Sequence, residues 1–92
     1  MLYIYILRSL KDGKIYIGKT KNLVQRFKQH NSGKVEATKG RLPLELIYYE
    51  GFTNNKDWNK EEIFLKSGIG KQSLKHRLEY TFKYSFGNKA RL

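Results

Sequence analysis

The sequence predicts an α+β fold: a small three-stranded antiparallel sheet flanked by helices, in the order β-β-α-β-α-α. Three observations carry this. Two tyrosine-bearing apolar runs meet at an Asp-Gly turn, a third apolar run stands alone in mid-chain, and the intervening and following segments show helical spacing with capping residues at their starts.

Residues 2–8 alternate as a strand, with Leu2, Ile4 and Ile6 on one face and Tyr3, Tyr5 and Leu7 on the other. Lys11-Asp12-Gly13-Lys14 is the turn. Residues 14–19 return as the second strand, with Ile15 and Ile17 on one face and Tyr16 and Gly18 on the other, so Tyr5 and Tyr16 can share a face. Thr20 is positioned to cap a helix over about 21–31, stopped by Ser32-Gly33, with Leu23, Val24 and Phe27 as its apolar stripe. A basic loop, 34–43, leads to a third strand over 44–52 around Leu46-Ile47-Tyr48-Tyr49. Asn54 or Asn55 caps a second helix of 56–67, ended by Gly68-Ile69-Gly70. A third helix over 71–84 carries Leu74, Leu78 and Phe82 at i, i+4, i+8. At this length one core is expected, as a single domain over 1–86 with a flexible tail at 87–92.

Composition narrows the functions. Nineteen basic against eight acidic side chains give +11, and residues 1–41 alone hold ten basic and two acidic residues. A polyanion is the expected partner, because each neutralised phosphate releases condensed counterions. The chain has no cysteine, which excludes disulfides and thiolate metal sites and makes a reducing cytoplasm the expected setting. No apolar run approaches the ~20 residues of a membrane helix. The apolar start lacks a basic leader and a small-residue cleavage site, so it reads as a buried strand and not a signal peptide.

Several polar residues break the apolar pattern of their own elements. At ~100° per residue and with Leu23 at zero, Phe27 falls near about +40°, His30 near about −20° and Arg26 near about −60°, so both polar side chains are directed toward the hairpin. On the second helix Trp58 and Leu65 define a stripe that includes Glu62, whereas Glu61 falls at its edge. An inward carboxylate in so basic a chain is either paired with Lys or Arg or holds a hard metal ion. Tyr5 and Tyr16, taken singly, are ordinary sheet aromatics. Gly18 in mid-strand marks a close approach of backbone or ligand.

Tyr3-Ile4-Tyr5, a ten-residue gap and Tyr16-Ile17-Gly18, followed by Arg26, His30 and Glu62, resemble the GIY-YIG endonuclease superfamily. The likeness runs from Tyr3 to about Gly70 and is closest to its small standalone members. It includes Asn31-Ser32-Gly33, Leu46-Ile47-Tyr48-Tyr49-Glu50 and Leu65-Lys66-Ser67-Gly68. The resemblance implies hydrolysis of phosphodiesters in nucleic acid, by preference DNA. Tyr16 would be general base or orient the attacking water, with Tyr5 in support and on the phosphate. Arg26 would stabilise phosphate charge, and His30 would act in proton transfer or phosphate contact. Glu62 would be the sole protein ligand of Mg²⁺ or Mn²⁺, and Gly18, Lys19 and Lys21 would bind substrate. A free tyrosine titrates near ~10, so base catalysis at neutral pH asks for ~4 kcal/mol of phenolate stabilisation, which a metal ion and neighbouring cations can supply. The motif's opening glycine is Tyr3 here, and the late asparagine of some members has no counterpart, Asn88 falling in the tail. A non-catalytic nucleic-acid-binding module on the same fold is the competing expectation.

Overall fold

The computed structural model describes residues 1–83, so the tail expected at 87–92 lies outside the described residues. Strands β1 (Leu2–Ser9), β2 (Ile15–Thr20) and β3 (Leu44–Phe52) pair antiparallel in the order β2-β1-β3. Helices α1 (Leu23–Asn31), α2 (Asn55–Lys66) and α3 (Gly68–Arg77) flank this sheet in the expected sequence.

The central strand is β1, which explains why it is apolar on both faces. Ile4 and Ile6 join Ile17, Leu65 and Leu74 in a core closed by α2 and α3, with Trp58, Leu78 and Phe82 packed around it. Tyr5 and Leu7 join Leu44 on the opposite face, where Leu23 and Phe27 of α1 cover them. The lone strand β3 serves both faces through a bulge. Leu7 pairs with Leu46 and Ile6 with Tyr48, so Ile47 is the extra residue. Leu44 and Leu46 thus face α1, while Ile47 and Tyr48 face α2 and α3. Strict alternation would have put Leu46 and Tyr48 on one face.

Several boundaries differ from the sequence expectation, each for a local hydrogen-bonding reason. The first helix begins at Leu23 and not Lys21 because Asn22, not Thr20, is its cap, its side chain accepting from the Gln25 N–H at 3.1 Å. Thr20 accepts from the Asn22 N–H at 3.1 Å and so sets the turn before the cap. Val24 lies about 100° round the helix from Leu23 and is 66% exposed, so it does not belong to the buried stripe. Gly68-Ile69-Gly70 does not break the chain but forms the first turn of α3, because the Ser67 hydroxyl accepts from the Gly70 N–H at 3.0 Å. The third helix is interrupted by a turn at Leu78, with helical turns again over 79–83. Within the basic loop, Lys39–Arg41 winds into one 3₁₀ turn.

Leu65 ties α2 to the sheet and is 0% exposed among Ile4, Ile6, Ile17 and Leu74. Leu65→Ala should therefore cost about 2–5 kcal/mol in urea unfolding. A loss under about 1 kcal/mol would mean that the two layers do not share this core.

Candidate active site

Tyr5 stands opposite Gly18 in the β1–β2 register, and its ring lies across that glycine. A Cβ at Gly18 would overlap the Tyr5 ring and hydroxyl and stand 2.9 Å from Tyr16 Cε2, so the tyrosine pair requires glycine there. From this position the Tyr5 hydroxyl meets His30 Nε2 at 2.8 Å and accepts from Arg26 Nε at 3.3 Å. His30 Nδ1 lies 2.7 Å from Thr38 Oγ1. A guanidinium only donates, so the Tyr5 oxygen accepts from Arg26 and can still donate to His30 Nε2, the arrangement that puts the ring proton on Nδ1, facing Thr38.

Burial holds this chain neutral. Desolvation pushes the Tyr5 phenol above its ordinary 10.0, outweighing the downward pull of the Arg26 hydrogen bond. Desolvation, reinforced by the Arg26 charge, pushes His30 from 6.5 down to about 4. His30 is 0% exposed and Tyr5 1%, so in the free protein both side chains are closed off from solvent. Their geometry suits positioning. Tyr16, half-buried, is the tyrosine of the pair that solvent reaches, with its ring centroid 5.0 Å from that of His30 and 6.3 Å from that of Tyr5. Arg26 also donates through Nη1 to Gln29 Oε1 at 3.1 Å, and its charge bears on both tyrosines.

The remaining expected residues lie elsewhere. Lys19 and Glu62 meet on the α2 side of the sheet, one strand-edge away from Tyr16, since β2 is an edge strand. Lys21 is exposed in the turn between β2 and α1 and joins neither group. Glu62 is turned inward as expected, but Glu61 is half-buried as well, close enough to Glu50 to raise that carboxyl's pKa, burial being the larger cause. An apolar helix lying on a sheet grazes it with both flanks of its stripe, which is why the wheel separated the two glutamates too sharply.

Of the two readings of an inward carboxylate, pairing is present: Glu62 Oε1 lies 3.3 Å from Lys19 Nζ and Oε2 lies 3.0 Å from Lys66 Nζ. Partial burial pushes Glu62 up, but the Lys66 and Lys19 hydrogen bonds outweigh it and hold the carboxyl below its ordinary value. Lys19 Nζ also donates to Asn59 Oδ1 at 2.6 Å and sits 4.4 Å from the centre of the Trp58 ring. The ammonium thus occupies a point where two oxygens, Glu62 and Asn59 at i and i−3 of one helix, converge on a cation. Oxygen donors on one positive charge are the set that Mg²⁺ or Mn²⁺ takes, and one carboxylate leaves positions for water and phosphate oxygens. The chemistry of these two oxygen donors fits such an ion, whose place the Lys19 ammonium would have to leave. Among the described residues no group of three or more histidine or carboxylate side chains gathers, so the protein's share would rest on Glu62 and Asn59.

Sequence reasoning missed two participants. Asn59 was legible, being one turn before Glu62 on the same helix face. Thr38 was not, because only the fold of the basic loop brings it to His30.

The buried histidine has a consequence for stability. Between pH 6.5 and about 4 the unfolded chain binds a proton at residue 30 that the native state refuses, so stability falls as pH drops through this window. At about 1.36 kcal/mol per unit the full effect is roughly 3 kcal/mol. His30→Gln, which does not titrate, should be less stable than the parent at pH 7, and the gap in urea unfolding should narrow by that amount at pH 4. Parallel pH profiles would show that His30 is not buried neutral.

Comparison with known proteins agrees with the geometry. The model of the GIY-YIG catalytic domain matches residues 1–83. A UPF0213 protein of Clostridium perfringens is 40% identical over 80% of this chain and 80% of its own length. One of Pediococcus acidilactici is 42% identical over 85% of this chain and 78% of its own. The solution NMR structure of a UPF0213 protein from Bacillus halodurans superposes with a TM-score of 0.51 at 36% identity, covering 80% of this chain and 82% of that one. These names state a family and no activity. A tyrosine pair on a hairpin, its arginine and histidine on the next helix, and a match across the described chain together establish that this protein belongs to the GIY-YIG family.

Proposed function

We propose that this chain is a divalent-metal-dependent endonuclease that hydrolyses phosphodiester bonds in nucleic acid, DNA by preference, in the reducing cytoplasm. The family is one of nucleases that generally use divalent metals, which supports the reaction class. The observation that carries the reading is the division between two tyrosines. One is buried, kept neutral by desolvation and hydrogen-bonded to His30 and Arg26, and the other stands accessible beside the same arginine, an edge strand away from an ionised carboxylate.

In this reading Tyr16, as its phenolate, orients the attacking water and takes its proton as the new P–O bond forms on the face opposite the leaving oxygen, while the P–O bond to that oxygen breaks and the departing alkoxide takes a proton from solvent. Arg26 lies against the phosphate and offsets the charge that gathers there, since a fixed guanidinium loses little reorganisation energy in the step. Tyr5, His30 and Thr38 act as positioning residues, holding Arg26 and the Tyr16 ring in register. When bound, a Mg²⁺ or Mn²⁺ ion at Glu62 and Asn59 would supply Lewis-acid charge for the phosphodiester. Lys19 would then turn from the carboxylate to the phosphate backbone, and Gly18 and Lys21 would border the substrate path. A module that only bound nucleic acid would gain nothing from a carboxylate at the phosphate, which repels it.

The test is nicking of plasmid and branched DNA with Mg²⁺ or Mn²⁺. Tyr16→Phe should slow cutting by about 10²–10⁴ and Glu62→Ala should reduce it to background, while binding at low salt persists. If both variants cut as fast as the parent, the assignment fails. If the parent binds and never cuts, the non-catalytic module is the correct reading.

A further inference from the structure

A second basic site lies on the α2–α3 side of the sheet, beside the hairpin turn. A cavity of about 480 Å³ opens there, with Arg8, Lys14, Lys71 and Lys75 around an apolar floor of Ile15 and Phe82. Three separate elements supply the cations: β1, the turn into β2, and α3. Among the described residues, no carboxylate lines the cavity. Arg8 is held in place, donating to the Phe82 carbonyl at 3.1 Å and to the Gly13 carbonyl at 3.4 Å, with its guanidinium 5.4 Å from the centre of the Phe82 ring.

Four positive charges round one concavity repel each other and focus a positive potential into it, which an anion relieves. The cavity is also large enough for a sugar-phosphate unit, and its apolar floor can take the less polar part of one. Its position indicates which anion. Ile15 on its floor and Lys19 at the candidate metal position are four residues apart on the exposed edge strand, about 13 Å at ~3.3 Å per residue. Consecutive phosphates of a duplex strand lie roughly 7 Å apart through space, because the backbone winds round the axis as it rises 3.4 Å per nucleotide, so this separation matches about two nucleotides.

We propose that this cavity holds a backbone phosphate of the strand flanking the scissile bond, about two nucleotides from it. The occupant rests on the endonuclease reading; the anion site itself does not. Arg8, Lys14, Lys71 and Lys75 would then set register along the strand, giving this domain a second anchor on its substrate.

The experiment is an amide chemical-shift titration of the ¹⁵N-labelled full chain with a DNA duplex of about one helical turn, in EDTA so that nothing is cut. Amides of Gly13, Lys14, Lys71 and Lys75 should move along with those of Tyr16 and Arg26, at one common affinity. In the double variant Lys71→Gln and Lys75→Gln, the first group should cease to move and the second should persist. The slope of log affinity against log salt should drop by roughly two. Shifts confined to Tyr16 and Arg26, or an unchanged salt slope in a folded double variant, would overturn the proposal. A parent that shows shifts at both places yet never nicks DNA with Mg²⁺ or Mn²⁺ would retain the phosphate site and remove the nuclease. A parent that nicks while its double variant keeps the same affinity and salt slope would do the reverse.

Discussion

The hydrogen bond between the Tyr5 hydroxyl and His30 Nε2 is the constraint on which the rest of the site depends. It joins the central strand to α1, and through Thr38 it joins both to the loop before β3. It forms only because Gly18, across the hairpin, has no side chain to stand in the way of the Tyr5 ring. Left unpaired at 0% exposure, a histidine and a phenol would each carry a desolvation cost of about 1–3 kcal/mol. Paired, they fix the Arg26 guanidinium, which donates to the same phenol oxygen. A polar chain of this kind is structurally demanding, and the Tyr5 hydroxyl, both His30 ring nitrogens and the Thr38 hydroxyl all have partners in it.

Electrostatics then divides the molecule along β2. On the α1 side an arginine faces two tyrosines, and on the α2 side two lysines hold one carboxylate. That carboxylate is balanced in the free protein by Lys19 and Lys66, so it is stable there without a metal. In the proposed reading, a divalent cation at the carboxylate would release the same lysines to phosphates. Exchange of partners of this kind suits a chain of +11, where an anion arriving at the edge strand relieves repulsion and does not add to it. The cavity at Arg8, Lys14, Lys71 and Lys75 continues the same positive edge toward the hairpin turn.

The sheet, its strand bounds and the helix order were legible in the sequence because alternation, the Asp-Gly turn and the Asn54 cap are local signals. So were Arg26 and His30, since their wheel positions left only the hairpin for them to face. The bulge at Ile47 was not, because it arises from β3 serving cores on both sheet faces, a tertiary demand absent from the strand's own pattern. Gly68-Ile69-Gly70 was misread as a stop because glycine is a weak helix former, and the Ser67 cap overrides that preference. At the site, helix geometry gave the direction of Glu62 and could not give its partner. The lysine that meets it comes from a strand forty-three residues earlier in the chain.

The central claim is that the two sides of β2 act as one site, so the most direct measurement is a double-mutant cycle on nicking rate. Tyr16→Phe, Glu62→Gln and the double variant would be compared with the parent at saturating Mg²⁺ and DNA, with folding checked by urea unfolding. Groups that serve one transition state are strongly non-additive. The account predicts that the double variant cuts no more slowly than the worse single variant. Losses that simply multiply would contradict it and assign Tyr16 and Glu62 to independent roles.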